Sequence, residues 1–339
     1  VVYSTRLGAV TEHERRIAAL PDTELVEAAL RTEAEFIANA AAADVVIVGA
    51  VEPVTREVLA GLPRCKAVVR RGVGQDNVDV PAATDLGIIV ANVPDASIEE
   101  VSDHALALAL ALIRSIGPLD RAVHDGRWSS APAELGPTRA GLRRFNRMTL
   151  GVVGAGRIGM AMADKGHGIF GRVIASDPVV PAEVIAAHGA EPVELDDLLA
   201  QADIISLHAP LLPSTQHLIG PRTLALMKPG AIIVNTSRGQ LVDQVALLEA
   251  LERGAIAGAG LDVTDPEPLP ADHPLLSHPR VIVTAHSAAL SDTSAAELRR
   301  RSSDAAIAVI EGTLPQGIVN PDVLRSAALR ANIQPGSES

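Results

Sequence analysis

Residues 148–178 constrain the fold more than any other stretch of the chain. A short apolar run, Leu150-Gly151-Val152-Val153, leads into Gly154-Ala155-Gly156-Arg157-Ile158-Gly159. A helix is predicted over 160–169, and a second apolar run, Val173-Ile174-Ala175, ends in Ser176-Asp177-Pro178. Strand, glycine turn, helix, strand and acid in that order form a dinucleotide-binding unit. Gly154 allows the tight turn, Gly156 lets the backbone approach a pyrophosphate, and Gly159 lets the helix pack closely on the strand. A helix N-terminus presents unpaired N–H groups and partial positive charge to phosphates. Arg157 and Ile158, between the last two glycines, are counted with the cofactor contacts. Asp177 ends the second strand, where a carboxylate accepts from ribose hydroxyls and repels a 2′-phosphate. The expectation is therefore NAD rather than NADP.

The 339 residues suffice for two ordinary domains. Apolar residues make up 47% but aromatics only 1%, so the core must be aliphatic. A net charge of −12 argues against a nucleic-acid or anionic-membrane footprint, though local arginines can still hold a small anion. Cys65 stands alone, which excludes an internal disulfide and a cysteine-based metal site and suits a reducing cytoplasm. No metal site is expected. The apolar run at 105–113 is too short to span a bilayer, and no signal segment opens the sequence.

Strands and helices alternate over the first ninety residues, with strands predicted at 1–4, 24–28, 44–48, 67–69 and 88–90. This reads as a small parallel sheet covered on both faces. Capping-box spacings are read at Thr11/Glu14, Ser97/Glu100 and Ser294/Glu297. The Ala-Leu repeat at 97–116 alternates like a strand, but its length and composition predict a buried helix. Residues 117–146, rich in Pro, Gly and Arg, read as irregular. After the glycine unit the alternation resumes, with strands at 204–207, 231–234, 257–263 and 281–284 and a last helix at 293–311. A polar tail beyond Ala331 is expected to be disordered.

In a doubly wound sheet, ligands sit at the carboxyl ends of the strands. Arg70 with Val73 and Gly74, His208, Arg238, Asp262, Glu267 and His286 all fall at or just beyond such ends. Hydride transfer to a 2-oxo acid needs a cation for the carboxylate and carbonyl, a proton donor, and an acid to hold that donor. Arg238, His286 and Glu267 supply the set. Singly, His286 reads first as a structural histidine and Glu267 as a loop charge, whereas a surface cation is the lesser reading of Arg238. His208 reads as a wall of the cofactor site.

Taken together, the motifs resemble the D-isomer-specific 2-hydroxyacid dehydrogenases over residues 44–321. They are Val69-Arg70-Arg71-Gly72-Val73-Gly74-Gln75-Asp76-Asn77-Val78-Asp79, Asn92-Val93-Pro94, the glycine unit with Asp177, Ser206-Leu207-His208-Ala209-Pro210, Val234-Asn235-Thr236-Ser237-Arg238-Gly239, Leu261-Asp262-Val263, Glu267-Pro268 and His286. Asp76-Asn77-Val78-Asp79 and the run 95–100 look nearest to the phosphoglycerate-dehydrogenase-like and C-terminal-binding-protein-like branch. Ala285 stands where that family usually has Pro, and Thr264 replaces a common aromatic. Formate-type relatives have Gln where Glu267 stands.

The resemblance implies an α/β fold of two doubly wound parallel-sheet domains. A Rossmann NAD-binding domain at 99–289 would be inserted into a flavodoxin-like substrate domain built from 1–98 and 290–330, with the tail at 331–339. It implies that Arg238 binds the substrate carboxylate and polarises the oxo group. His286, paired with Glu267, would give a proton to the carbonyl oxygen as hydride arrives from NADH. Backbone N–H groups of Val73 and Gly74, with Arg70, would hold the carboxylate, and Asp262 would contact the nicotinamide amide. A homodimer through the NAD-binding domains is the family's habit. Two other outcomes stay open at this point: an NADH-sensing corepressor-like interaction protein, and a dehydrogenase acting on a phosphorus oxyanion.

Overall fold

A computed structural model describes residues 1–333 of the chain. It divides into two compact units: Val1–Ala96 with the C-terminal segment from Ser291, and Ser97–Leu290.

The first unit is built on five parallel strands: β1 Val2–Ser4, β2 Val26–Ala28, β3 Val45–Val48, β4 Ala67–Arg70 and β5 Ile89–Asn92. Their spatial order is β2-β1-β3-β4-β5, the flavodoxin-like order of a doubly wound sheet. Every residue of β3 is buried, as expected of a central parallel strand covered on both faces. One cover is formed by Phe36, Val58, Leu59 and Ala82, which lie on helices Glu33–Ala40, Arg56–Ala60 and Val80–Asp85. The other comes from Ile17 together with Ala305, Ala306 and Val309 of the long helix Asp292–Ile310. The N-terminal and C-terminal segments therefore share one core.

Inside that unit Arg71 lies over the ring of Tyr3 and donates to its hydroxyl at 2.7 Å. Glu14, fully buried, receives Arg299 at 3.0 Å and Arg71 at 3.5 Å. Burial opposes ionisation of Glu14, but hydrogen bonds from Thr11 and the charge of Arg299 outweigh it and hold its pKa below the usual carboxylate value.

The second unit carries seven parallel strands: β6 Thr149–Val153, β7 Arg172–Ser176, β8 Glu191–Pro192, β9 Ile204–Leu207, β10 Ile232–Asn235, β11 Gly258–Leu261 and β12 Val281–Val283. The order is β12-β11-β10-β9-β6-β7-β8, with the reversal between β6 and β9. That reversal is the switch point at which such sheets bind dinucleotides. Its two cores are aliphatic apart from Phe170, against which Phe145 packs edge-on, as the scarcity of aromatics leads one to expect.

Three local expectations are corrected. Residues 117–146 are largely helical, with Ile116–His124, Arg127–Ser130 and Gly136–Ala140 separated by short turns. The helix Ile98–Ile113 starts after Ser97, whose side chain makes no capping bond. The last long helix is capped three residues earlier than expected: Ser291 Oγ accepts from the Ser294 N–H at 2.9 Å, and Ser294 Oγ accepts from the Ser291 N–H at 2.8 Å. Glu297, freed from the capping role, pairs with Arg300 at 2.8 Å. Of the expected disordered tail, residues 334–339 lie outside the described residues, whereas Ala331 is buried in the first unit's core.

Candidate active site

The glycine turn follows β6. Gly154 has φ +94°, and a Cβ there would stand 2.6 Å from the backbone nitrogen of Ala209. Gly159 lies so close under the turn that a Cβ would come within 1.9 Å of the Gly154 carbonyl oxygen. Gly156, which caps helix Arg157–Gly166, is different: a Cβ there would meet nothing within 4 Å. Gly154 and Gly159 are demanded by the fold itself. Gly156 leaves open space before a helix N-terminus, whose N–H groups and dipole suit an anion. Arg157 is exposed beside it, and Ile158 is partly buried.

Asp177 stands just beyond β7, as the sequence placed it, and is tied to the turn. Its Oδ2 accepts from the Ala155 N–H at 2.8 Å, and its Oδ1 accepts from the N–H groups of Val179 and Val180 at 2.8 and 3.0 Å.

His208 follows β9. Its Nε2 lies 2.8 Å from Ser206 Oγ, while Nδ1 is buried with no partner among the described residues. Burial pulls its pKa down to about 4, so the ring is neutral at physiological pH. The hydroxyl of Thr236, one residue past β10, is also buried without a partner among the described residues. Leu207 pairs with Asn235 across β9 and β10, so the orphaned groups follow adjacent strand ends. Buried polar atoms of this kind are costly unless a ligand completes them. The sequence singled out the motif containing Thr236 but not Thr236 itself.

Arg238 lies in the same loop. Asn235 Nδ2 donates to the Arg238 carbonyl at 2.8 Å, and Ser237 Oγ donates to the Leu207 carbonyl at 2.8 Å. Gly239 follows because a Cβ there would stand 2.0 Å from the Thr264 carbonyl oxygen. The loop is thereby fixed and presents a half-buried guanidinium.

Beyond the neighbouring β11 and β12 come Glu267 and His286. Glu267 Oε1 lies 2.5 Å from His286 Nδ1, and each side chain is about one-third exposed. His286 has a left-handed backbone, φ +49°. Asp262 is buried, with its carboxylate turned toward the chain segment that carries His286. Oδ1 accepts from Thr284 Oγ1 at 2.5 Å and from the Ser287 N–H at 2.9 Å, and Oδ2 accepts from the Ala288 N–H at 2.9 Å.

Arg70, Val73 and Gly74 belong to the first unit. Arg70 is buried and donates to the Arg71 carbonyl at 3.1 Å. Asn92 Nδ2 donates to the Val73 carbonyl at 2.7 Å, which fixes the loop after β4. Val73 and Gly74 are partly exposed.

The family model for "D-isomer specific 2-hydroxyacid dehydrogenase, NAD binding domain" matches residues 106–288. The chain belongs to the D-isomer specific 2-hydroxyacid dehydrogenase family. It is 39% identical over 81% of its length to a glyoxylate reductase of Korarchaeum cryptofilum, covering 82% of that protein. It is 38% identical over 91% of its length to a D-3-phosphoglycerate dehydrogenase of Methanocaldococcus jannaschii, and spans only 58% of that longer chain. Among solved structures, a D-lactate dehydrogenase from Aquifex aeolicus complexed with NAD and lactic acid superposes with a TM-score of 0.80 at 29% identity, covering 92% of this chain and 95% of that one. The chain is thus an NAD-dependent D-2-hydroxyacid dehydrogenase. The open space at Gly156 and the orphaned atoms of His208 and Thr236 fit that cofactor. Among the described residues, no helix is long and apolar enough to cross a membrane, and no group of His, Cys, Asp and Glu is placed to hold a metal ion.

Proposed function

We propose that this dehydrogenase interconverts a small 2-oxo acid and its D-2-hydroxy acid, with His286 as proton donor and Arg238 as carboxylate ligand. The contact between Glu267 and His286 carries the reading. A carboxylate against Nδ1 favours a proton on that nitrogen, which leaves Nε2 to exchange a proton with substrate oxygen. Neutral His208 suits a hydrogen-bonding role and not that of an acid. Arg238, at the end of the next strand but one, supplies a permanent cation for the carboxylate and for charge developing on the oxo oxygen. The bound cofactor supplies the hydride. In the first unit, the N–H groups of Val73 and Gly74, with Arg70, are read as further carboxylate ligands.

Gly154, Gly156, Arg157, Ile158 and Gly159 form the pyrophosphate cradle in this reading. Asp177 supports NAD over NADP through its negative charge at the ribose end. The nicotinamide half is expected against His208 and Thr236, with Asp262 behind the segment that carries the donor.

Two further features support association and location. Ile116, Val123 and Trp128 are 56%, 48% and 63% exposed on the helices after 113, which supports a homodimer through this unit. A single buried thiol supports a reducing compartment such as the cytoplasm.

The test is loss of NADH absorbance with glyoxylate, pyruvate, hydroxypyruvate, phosphohydroxypyruvate and branched 2-oxo acids, with NADPH in parallel. Turnover of one member is the expected result and defines pocket size. Tight NADH binding without any turnover would overturn the reading.

A further inference from the structure

A histidine remote in sequence from the proposed proton donor is coupled to it by hydrogen bonds within the second unit. His104 stands on helix Ile98–Ile113, at the head of its Ala-Leu repeat. Its Nε2 lies 2.9 Å from Thr284 Oγ1, and Thr284 Oγ1 lies 2.5 Å from Asp262 Oδ1. A hydroxyl has one proton, and an ionised carboxylate only accepts. Thr284 therefore donates to Asp262 and accepts from His104, which places a proton on His104 Nε2. The direct distance from that nitrogen to Asp262 Oδ1 is 3.6 Å, so the hydroxyl carries the contact.

Asp262 passes the constraint on. Its carboxylate takes the N–H groups of Ser287 and Ala288, and its carbonyl oxygen takes the His286 N–H at 2.8 Å. His286 lies between Thr284 and these two amides. Its φ of +49° is uncommon for any residue but glycine, so surrounding bonds must hold it. Asp262 and Thr284 supply such bonds on both sides of it.

We propose that His104 is a positioning residue: through Thr284 and Asp262 it fixes the backbone at 284–288, and so the direction in which His286 faces Glu267. This rests on His286 being the donor, as argued above. It differs from reading Asp262 as a contact of the nicotinamide amide, because the effect passes through the backbone and leaves cofactor affinity alone.

The experiment compares His104→Leu and Thr284→Val, which remove the relay with little change of shape, with His104→Gln and Thr284→Ser, which keep a donor and a hydroxyl. Each is assayed with NADH and whichever 2-oxo acid of the panel is reduced, and amide hydrogen exchange is followed at Ser287 and Ala288 in the full chain. The relay-removing pair should lose about tenfold to a hundredfold in kcat, with KM for NADH within about twofold of the parent. Exchange at Ser287 and Ala288 should quicken by about tenfold or more. His104→Gln and Thr284→Ser should stay within about threefold of the parent in kcat. Parent-like kcat and exchange in His104→Leu, or a loss confined to KM for NADH, would overturn the proposal. His286→Ala, run alongside, keeps the two readings distinct. If that variant turns over normally, His286 is not the donor, while the exchange rates still decide whether His104 holds the segment.

Discussion

Glu267 and His286 are nineteen residues apart in sequence, yet carboxylate and imidazole meet at 2.5 Å across the ends of neighbouring strands. His286→Ala is expected to lower kcat for 2-oxo acid reduction by about 10²–10⁴-fold, the range for removal of a general acid. Glu267→Gln keeps a hydrogen-bonding group but no charge, and should cost less than His286→Ala in the same assay. Steady-state kinetics with saturating NADH separates the two.

Arg238 is not replaceable by another cation. Lys cannot present a planar fork to a carboxylate, so Arg238→Lys should raise KM for the oxo acid and lower kcat together. Binding of NADH alone, measured by fluorescence titration, should be nearly unchanged.

The three glycines of the turn should behave differently. Gly159→Ala sets a Cβ 1.9 Å from a backbone oxygen and should destabilise the fold, seen as a lowered Tm. Gly156→Ala meets nothing within 4 Å in the free protein, so its Tm should match the parent. Its NADH affinity should nevertheless fall about tenfold or more, because the added methyl occupies the approach to the phosphates. An unchanged affinity would sink the cradle assignment.

Asp177 has two tasks, holding the turn and setting the charge at the ribose end. Asp177→Ala should therefore raise the ratio of NADPH to NADH efficiency and lower Tm as well. Asp177→Asn should recover part of the Tm and keep the altered ratio.

Acid should weaken the first unit through Glu14. Its folded pKa lies below the ordinary 4.5, so its contribution to stability is present above that value and is lost as pH falls through the folded value. Tm is expected to fall as pH drops below the ordinary carboxylate value of 4.5, with a shallower slope in Glu14→Gln. That variant should also cost about 3 kcal/mol at neutral pH, because it leaves Arg71 and Arg299 without their carboxylate.

Most of the parallel strands were legible because they are short, largely apolar runs, and β3 shows this in every residue; β8, Glu191–Pro192, is exposed and polar and was missed. The glycine turn was legible because backbone geometry admits few substitutes there. Residues 117–146 were not, since their helices are short and interrupted by Pro and Gly, so no period of 3.6 builds up. The cap of helix Asp292–Ile310 was misplaced because Ser291/Ser294 and Ser294/Glu297 offer competing spacings. Thr236 and His104 escaped for another reason. A buried orphan hydroxyl and a hydroxyl bridged to a distant imidazole are facts of tertiary packing. The one local signal for His104 was its place as the last polar residue, after Ser102 and Asp103, before an apolar run.

The interleaving of the two units also orders their synthesis. Helix Asp292–Ile310, which packs on β3 and β4, is made after the whole of Ser97–Leu290. A nascent chain can therefore complete its seven-stranded sheet while the first ninety-six residues still lack part of one cover, the part that Ala305, Ala306 and Val309 supply. The N-terminal part of the first unit thus gains its full core only when the C-terminal helix has been made.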